Sequence, residues 1–202
     1  MKKYSLFLSL IICAIALHAQ DTKLVFGSPT AVWYGMDFTK AKMIGFKGES
    51  PHKIRDEYFK IWNGVALAQD LSPTFQKHSV AKDPNGVNKI NLDRETESLL
   101  ADAEVDLSPA QIADEVKALP AGAQKKGLAV VFIVQSFNKT TNLATVHVVF
   151  FDIATRDVLL SKKVTGKAAG GATDKAWSGA LKNILTDIEK KNFSAWKKEA
   201  NY

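Results

Sequence analysis

Cysteine is nearly absent: the 202 residues contain one, Cys13. Histidine is scarce, with four, and no two stand at HxH or HExxH spacing. These shortages argue against a disulfide framework, thiolate metal ligands and a zincin-type metal site. No GxSxG elbow is present to seat a serine nucleophile. Arginine-rich blocks are missing too. The lysines come as scattered pairs, Lys125-Lys126, Lys162-Lys163, Lys190-Lys191 and Lys197-Lys198. That pattern reads as a solvated face and argues against a nucleic-acid surface. No stretch after Leu17 is apolar enough to span a bilayer.

What is present begins at the N-terminus. Lys2 and Lys3 precede an apolar run from Tyr4 to Leu17, and Leu17-His18-Ala19 resembles a cleavage site. The run falls short of the roughly 20 residues a spanning helix needs. Residues 1–19 therefore read as a secretory signal peptide, and the expected location is periplasmic or cell-surface. Ile12 stands before Cys13, where a lipoprotein signal carries a small residue, which argues against lipidation. Cleavage after Ala19 leaves no cysteine, and 25 basic against 21 acidic residues.

Residues 20–202 suit one domain. The alternation of Val32, Tyr34 and Met36 with Trp33 and Gly35 predicts a strand, and 42–46 a short strand or an extended lead-in. Ser50-Pro51 opens a helix to about Gln69, with Ile54, Tyr58, Ile61, Trp62 and Val65 as its stripe. Residues 71–106 read as an irregular excursion, with a turn at Asp83-Pro84-Asn85-Gly86 and a short helix near 94–103. Ser108-Pro109-Ala110-Gln111 carries a capping box, followed by the apolar positions Ile112, Val116 and Leu119. The run LAVVFIV (128–134) predicts a strand buried on both faces. Two more strands follow at 144–151 and 158–165, forming an antiparallel meander, and a helix runs from Asp174 to about Phe193. The expected fold is an α/β sandwich. Its sheet would be mixed and largely antiparallel, with about three helices flanking it.

GKAAGGATDKAW (166–177) lies between the last strand and the last helix. A Walker loop needs a lysine after its last glycine, but Gly171 is followed by Ala172-Thr173, and GxGxxG is missing as well. As a structural turn, Gly170 and Gly171 supply positive φ and a close helix approach, and Thr173 or Asp174 caps the helix. As a binding loop, Gly166, Gly170, Gly171 and Thr173 hold a small polar or anionic ligand on free N–H groups, with Trp33, Trp177 and Asp37 nearby. Asp37 and Asp152 end strands, and neighbouring strands would pair them as carboxylates do in hydrolases. No catalytic residue, metal or cofactor is assigned.

The stretch from Gly127 to Leu185 combines a buried strand, an Asn-Lys turn, a strand ending in Phe-Asp, a Gly-rich loop with Trp177 and a final helix. It resembles the C-terminal half of a family of small secreted proteins of Gram-negative envelopes. Its layout is similar to the periplasmic α/β domain of curli-secretion-type lipoproteins. The resemblance implies location and fold only. The expected function is that of an exported, non-catalytic envelope protein that binds a partner or self-associates. A small-molecule or glycan binder using the Gly-rich loop comes second, and a hydrolase with paired carboxylates third.

Overall fold

The computed structural model describes residues 22–202; the signal-peptide segment 1–19 lies outside the described residues. Helix α1 covers 22–27, followed by β1 (Thr30–Asp37) and β2 (Lys42–Ile44). Helix α2 (Pro51–Lys53) continues through a π-helical turn (Ile54–Tyr58) into α3 (Phe59–Leu67). Next come β3 (Ser79–Lys82), α4 (Asn85–Asp93), β4 (Leu100–Ala101) and α5 (Pro109–Ala118). The chain ends with β5 (Leu128–Asn138), β6 (Leu143–Asp152), β7 (Val158–Lys167), α6 (Thr173–Asp187), a second π turn (Ile188–Asn192) and α7 (Phe193–Glu199).

All seven strands join one sheet. β5 is its centre, and every one of its residues is buried, as a continuous apolar run requires. β6 takes one side of β5 and β7 pairs with β6, both antiparallel. The other side of β5 is shared. β1 pairs with 129–133 and β2 with 136–138, both parallel. β3 lies parallel to β1, and β4 parallel to β2. The sheet is therefore mostly parallel, which overturns the expectation of a largely antiparallel one. The cause lies in the segment read as an irregular excursion. It supplies two short, mostly exposed strands and α4, and helical crossovers bring them back in the same direction. The turn residues Pro84-Asn85-Gly86 open α4, while 94–99 is not helical.

The caps hold locally. The Ser50 hydroxyl accepts from Lys53 N–H, and Ser108 and Gln111 complete a capping box at α5. Helices cover both faces of the sheet. α3, α6 and α7 pack on the larger core, which includes Trp33, Phe132, Phe150, Trp62, Trp177 and Phe193. α5 packs through Ile112 and Val116 on a smaller core with Val32, Tyr34, Val131 and Phe151. Among the described residues, no helix is long and apolar enough to cross a membrane.

Between β1 and β2, residues 38–41 bulge out opposite only two residues of β5. Ala41 N–H donates to Phe38 O, and side chains satisfy other backbone groups here and at the register shift that ends in Met36. Asn63 accepts from Met36 N–H at 2.9 Å, and Asn91 accepts from Phe38 N–H at 2.7 Å and donates to Met36 O at 2.8 Å. The Arg94 guanidinium bridges the carbonyls of Phe38 and Ala41.

Candidate functional site

The Gly-rich segment leaves β7 and returns as α6. Ala168 N–H donates to Asn142 O, and Ala169 N–H donates to Ala176 O, so both sides of the loop are tied down. Between these ties the chain swings outward. Gly171 has φ of 113°, a conformation that favours glycine, and a Cβ at Gly170 or Gly171 would meet nothing within 4 Å. A cleft of about 400 Å³ opens here, lined by Lys139, Asn142, Gly170, Gly171, Thr173 and Trp177 among others.

The expected cap is not formed. Ala172 is the N-cap of α6 and has no side-chain hydrogen bond, so neither Thr173 nor Asp174 closes the helix start. Thr173 turns to another partner: its hydroxyl donates to Glu49 Oε1 at 3.2 Å. Lys139 pairs with the same Glu49 oxygen and sits 4.3 Å above the Phe46 ring. Phe46 and Phe137 both stack with the Trp177 indole. Trp177 is 2% exposed, and its indole N–H is buried with no acceptor among the described residues. The wall of the cleft is thus a helix N-terminus, one lysine and the edge of an aromatic stack.

Gly166 takes no part in this cleft. A Cβ there would lie 2.6 Å from Ile184 Cγ1 and nearer still to the carbonyl oxygen of Ala180. The close approach of helix and sheet expected of Gly170 and Gly171 therefore belongs to Gly166. Trp33 is also placed elsewhere. It is fully buried against Phe132, ring centroids 4.7 Å apart, and is closed to any ligand.

Asp37 lies in the core at the β1–β2 interruption, away from the Gly-rich loop. Its Oδ1 accepts from Thr39 N–H at 2.8 Å and lies 2.6 Å from Thr39 Oγ1. Thr39 Oγ1 is also 2.7 Å from Glu115 Oε2 on α5, and Lys40 pairs with the other oxygen of Glu115 at 3.0 Å. Asp37 Oδ2 is buried without a partner. Desolvation raises the Asp37 pKa to about 6, against the lowering bonds from Thr39; Glu115 adds a smaller rise and Arg94 a small opposing pull. One hydroxyl hydrogen cannot serve two carboxylates, so the chain of contacts closes fully when Asp37 holds a proton.

Asp37, Ile133, His147 and Lys163 stand opposite one another across four strands. His147 Nε2 faces Gln135 Oε1 at 3.0 Å, so the neutral ring carries its proton there. Burial lowers the His147 pKa, and Lys163 adds to the drop while Asp106 opposes it. Asp152 stands opposite Leu128, five residues along β5 from the Ile133 that faces Asp37. At about 3.3 Å per residue, the two aspartates are too far apart to work as a pair. Asp152 accepts from Ala154 and Thr155 N–H, as a turn residue does. Among the described residues, no group of three His, Cys, Asp or Glu could hold a metal ion.

Compared with protein-family models and with curated proteins, the chain matches none.

Proposed function

We propose that the chain is a non-catalytic binding protein that takes a small polar or anionic ligand in the Gly-rich cleft. One observation carries the reading: α6 begins without a side-chain cap where Gly170, Gly171 and Thr173 line an open cleft. Backbone N–H groups at a helix start attract carboxylates, phosphates and sugar hydroxyls. The Lys139 ammonium adds charge, and the Trp177 ring lines the same cleft. Glu49 competes for Lys139, which favours a neutral or singly charged ligand over a multiply charged one. The signal-peptide pattern at 1–19 supports an exported protein acting in the periplasm or at the cell surface.

Titration with acetate, inorganic phosphate and N-acetylglucosamine, followed by amide NMR, tests this. The expected result is shifts confined to the amides of Gly170, Gly171 and Thr173 and the Trp177 indole, with at least one probe saturating. In Lys139→Ala, affinity for the anions drops by about tenfold. Shifts scattered over surface lysines, with none at these four groups, overturn the reading.

A second reading rests on β7. Among the described residues this ten-residue strand pairs with β6 alone, and its outer backbone edge carries no strand. Strand addition there would let the protein self-associate or accept an envelope partner. Lys162, Lys163 and Lys167 hinder such pairing. A strictly monomeric protein at high concentration counts against the self-associating form.

A further inference from the structure

A second cavity, of about 370 Å³, lies between α3 and α4, away from the Gly-rich loop. Its lining is mostly apolar, and the reason is local. The polar atoms of Asn63 and Asn91 at its floor are occupied in holding the β1–β2 interruption. Asn63 Nδ2 further donates to Asn88 Oδ1 at 2.6 Å. The carbon surfaces of Phe59, Leu67 and Leu92 are left to face the groove, and Leu92 is 41% exposed although it is a leucine. Gly64 lines the same groove, and a Cβ there would meet nothing within 4 Å. A glycine in a helix interior costs about 1 kcal/mol relative to alanine, and no close neighbour here demands it.

The mouth is charged. The π turn at Ile54–Tyr58 inserts an extra residue per turn, so Arg55 and Lys60 both reach the groove. Arg55 is held in place by Asp56, at 2.8 Å, and by the Arg94 carbonyl. Among the described residues Lys60 enters no ion pair. Asp56 neutralises Arg55, and Glu95 and Glu97 add to the negative field around it, so Lys60 is the cation left beside the apolar trough without an ion pair among the described residues.

We infer that this groove binds an amphiphile with one acyl chain and a single anionic head, of the size of a medium-chain fatty acid. The chain lies along Phe59, Leu67 and Leu92, over Gly64, and the carboxylate meets Lys60. The cavity is near the lower end of ligand pockets, roughly 300–1,000 Å³, which suits one short chain and excludes a two-chain lipid.

Calorimetric titration of the protein with dodecanoate and with dodecanol, below their micellar concentrations, tests the assignment. Wild type is expected to bind dodecanoate in the micromolar range and dodecanol about tenfold more weakly. Gly64→Leu fills the trough and should lose dodecanoate binding by at least tenfold, with no drop in thermal midpoint. Lys60→Glu should weaken dodecanoate and leave dodecanol unchanged. No binding by wild type, undiminished binding by a folded Gly64→Leu, or undiminished dodecanoate binding by Lys60→Glu would each overturn the proposal.

Discussion

The two faces of the sheet are closed by different means. Under α3, α6 and α7 the seal is aromatic. Phe38 stacks on Phe59 at 4.3 Å, Trp62 meets Phe137 edge-on at 4.7 Å, and Phe75 meets Phe150 at 5.1 Å. Under α5 the core is smaller and largely aliphatic, and its margin is polar, with Asp37, Thr39 and Glu115 on one flank and Gln135, His147 and Asp106 on the other. The first face holds through volume and contact, which pH does not alter. The second holds partly through protons whose position depends on pH. Rigidity on one side and titratable contacts on the other are thus built into a single sheet.

Trp62→Ala should break the aromatic face most severely. The ring is fully buried, touches four other rings and donates to Asp174 O at 3.0 Å, so it also ties α3 to α6. The expected loss is about 3–5 kcal/mol in denaturant unfolding, the same at pH 5 and pH 8. A loss below 1 kcal/mol would show that this face tolerates cavities and that the contrast is misplaced.

The polar margin should respond to pH. The folded Asp37 pKa of about 6 stands above the unfolded value of about 4. Between those limits the folded chain keeps a proton that the unfolded chain has released. Asp37 therefore makes stability fall as pH rises from about 4 to 6, with the loss complete above that range. Asp37→Asn removes the ionisation and should gain about 1–2 kcal/mol at pH 8, and little at pH 4. His147 acts in the opposite sense: its lowered pKa makes stability fall as pH drops below about 6.5. Thermal midpoints from pH 4 to 8 separate the two, since Asp37→Asn should erase only the first slope. Parallel curves for wild type and variant would remove Asp37 from the account.

The smallest effect belongs to the start of α5. Ser108→Ala deletes half of the capping box and should cost about 1 kcal/mol. Hydrogen exchange should quicken in α5 and leave α3 and α6 unchanged. Equal quickening on both faces would mean that they open as one unit.

Legibility divides along the same line. The long strand β5, the cap at Ser50 and the capping box at Ser108 were readable because each depends on residues within a few positions. β3 and β4 were not, since Ser79–Lys82 and Leu100–Ala101 are short and mostly exposed, with no alternating pattern to reveal them. Trp33 and Trp177 look alike as aromatic candidates, yet only Trp177 lines a cleft. Asp37 resembles an ordinary turn residue until α5 brings Glu115 to its neighbouring threonine, 76 residues further along the chain. The groove beside Gly64 left no mark in the sequence beyond a glycine inside an amphipathic helix.

By itself, the sequence determined the helix starts at Ser50 and Ser108, the central buried strand, the exclusion of thiol chemistry after Ala19 and the absence of a Walker lysine. Those properties follow from composition and short-range backbone preference. Tertiary structure alone decided the parallel pairing, the division of labour between Gly166 and Gly171, the burial that raises the Asp37 pKa and the two cavities. Each of these arises where segments distant in the chain desolvate one another, and the free energy of burial depends on which neighbours arrive.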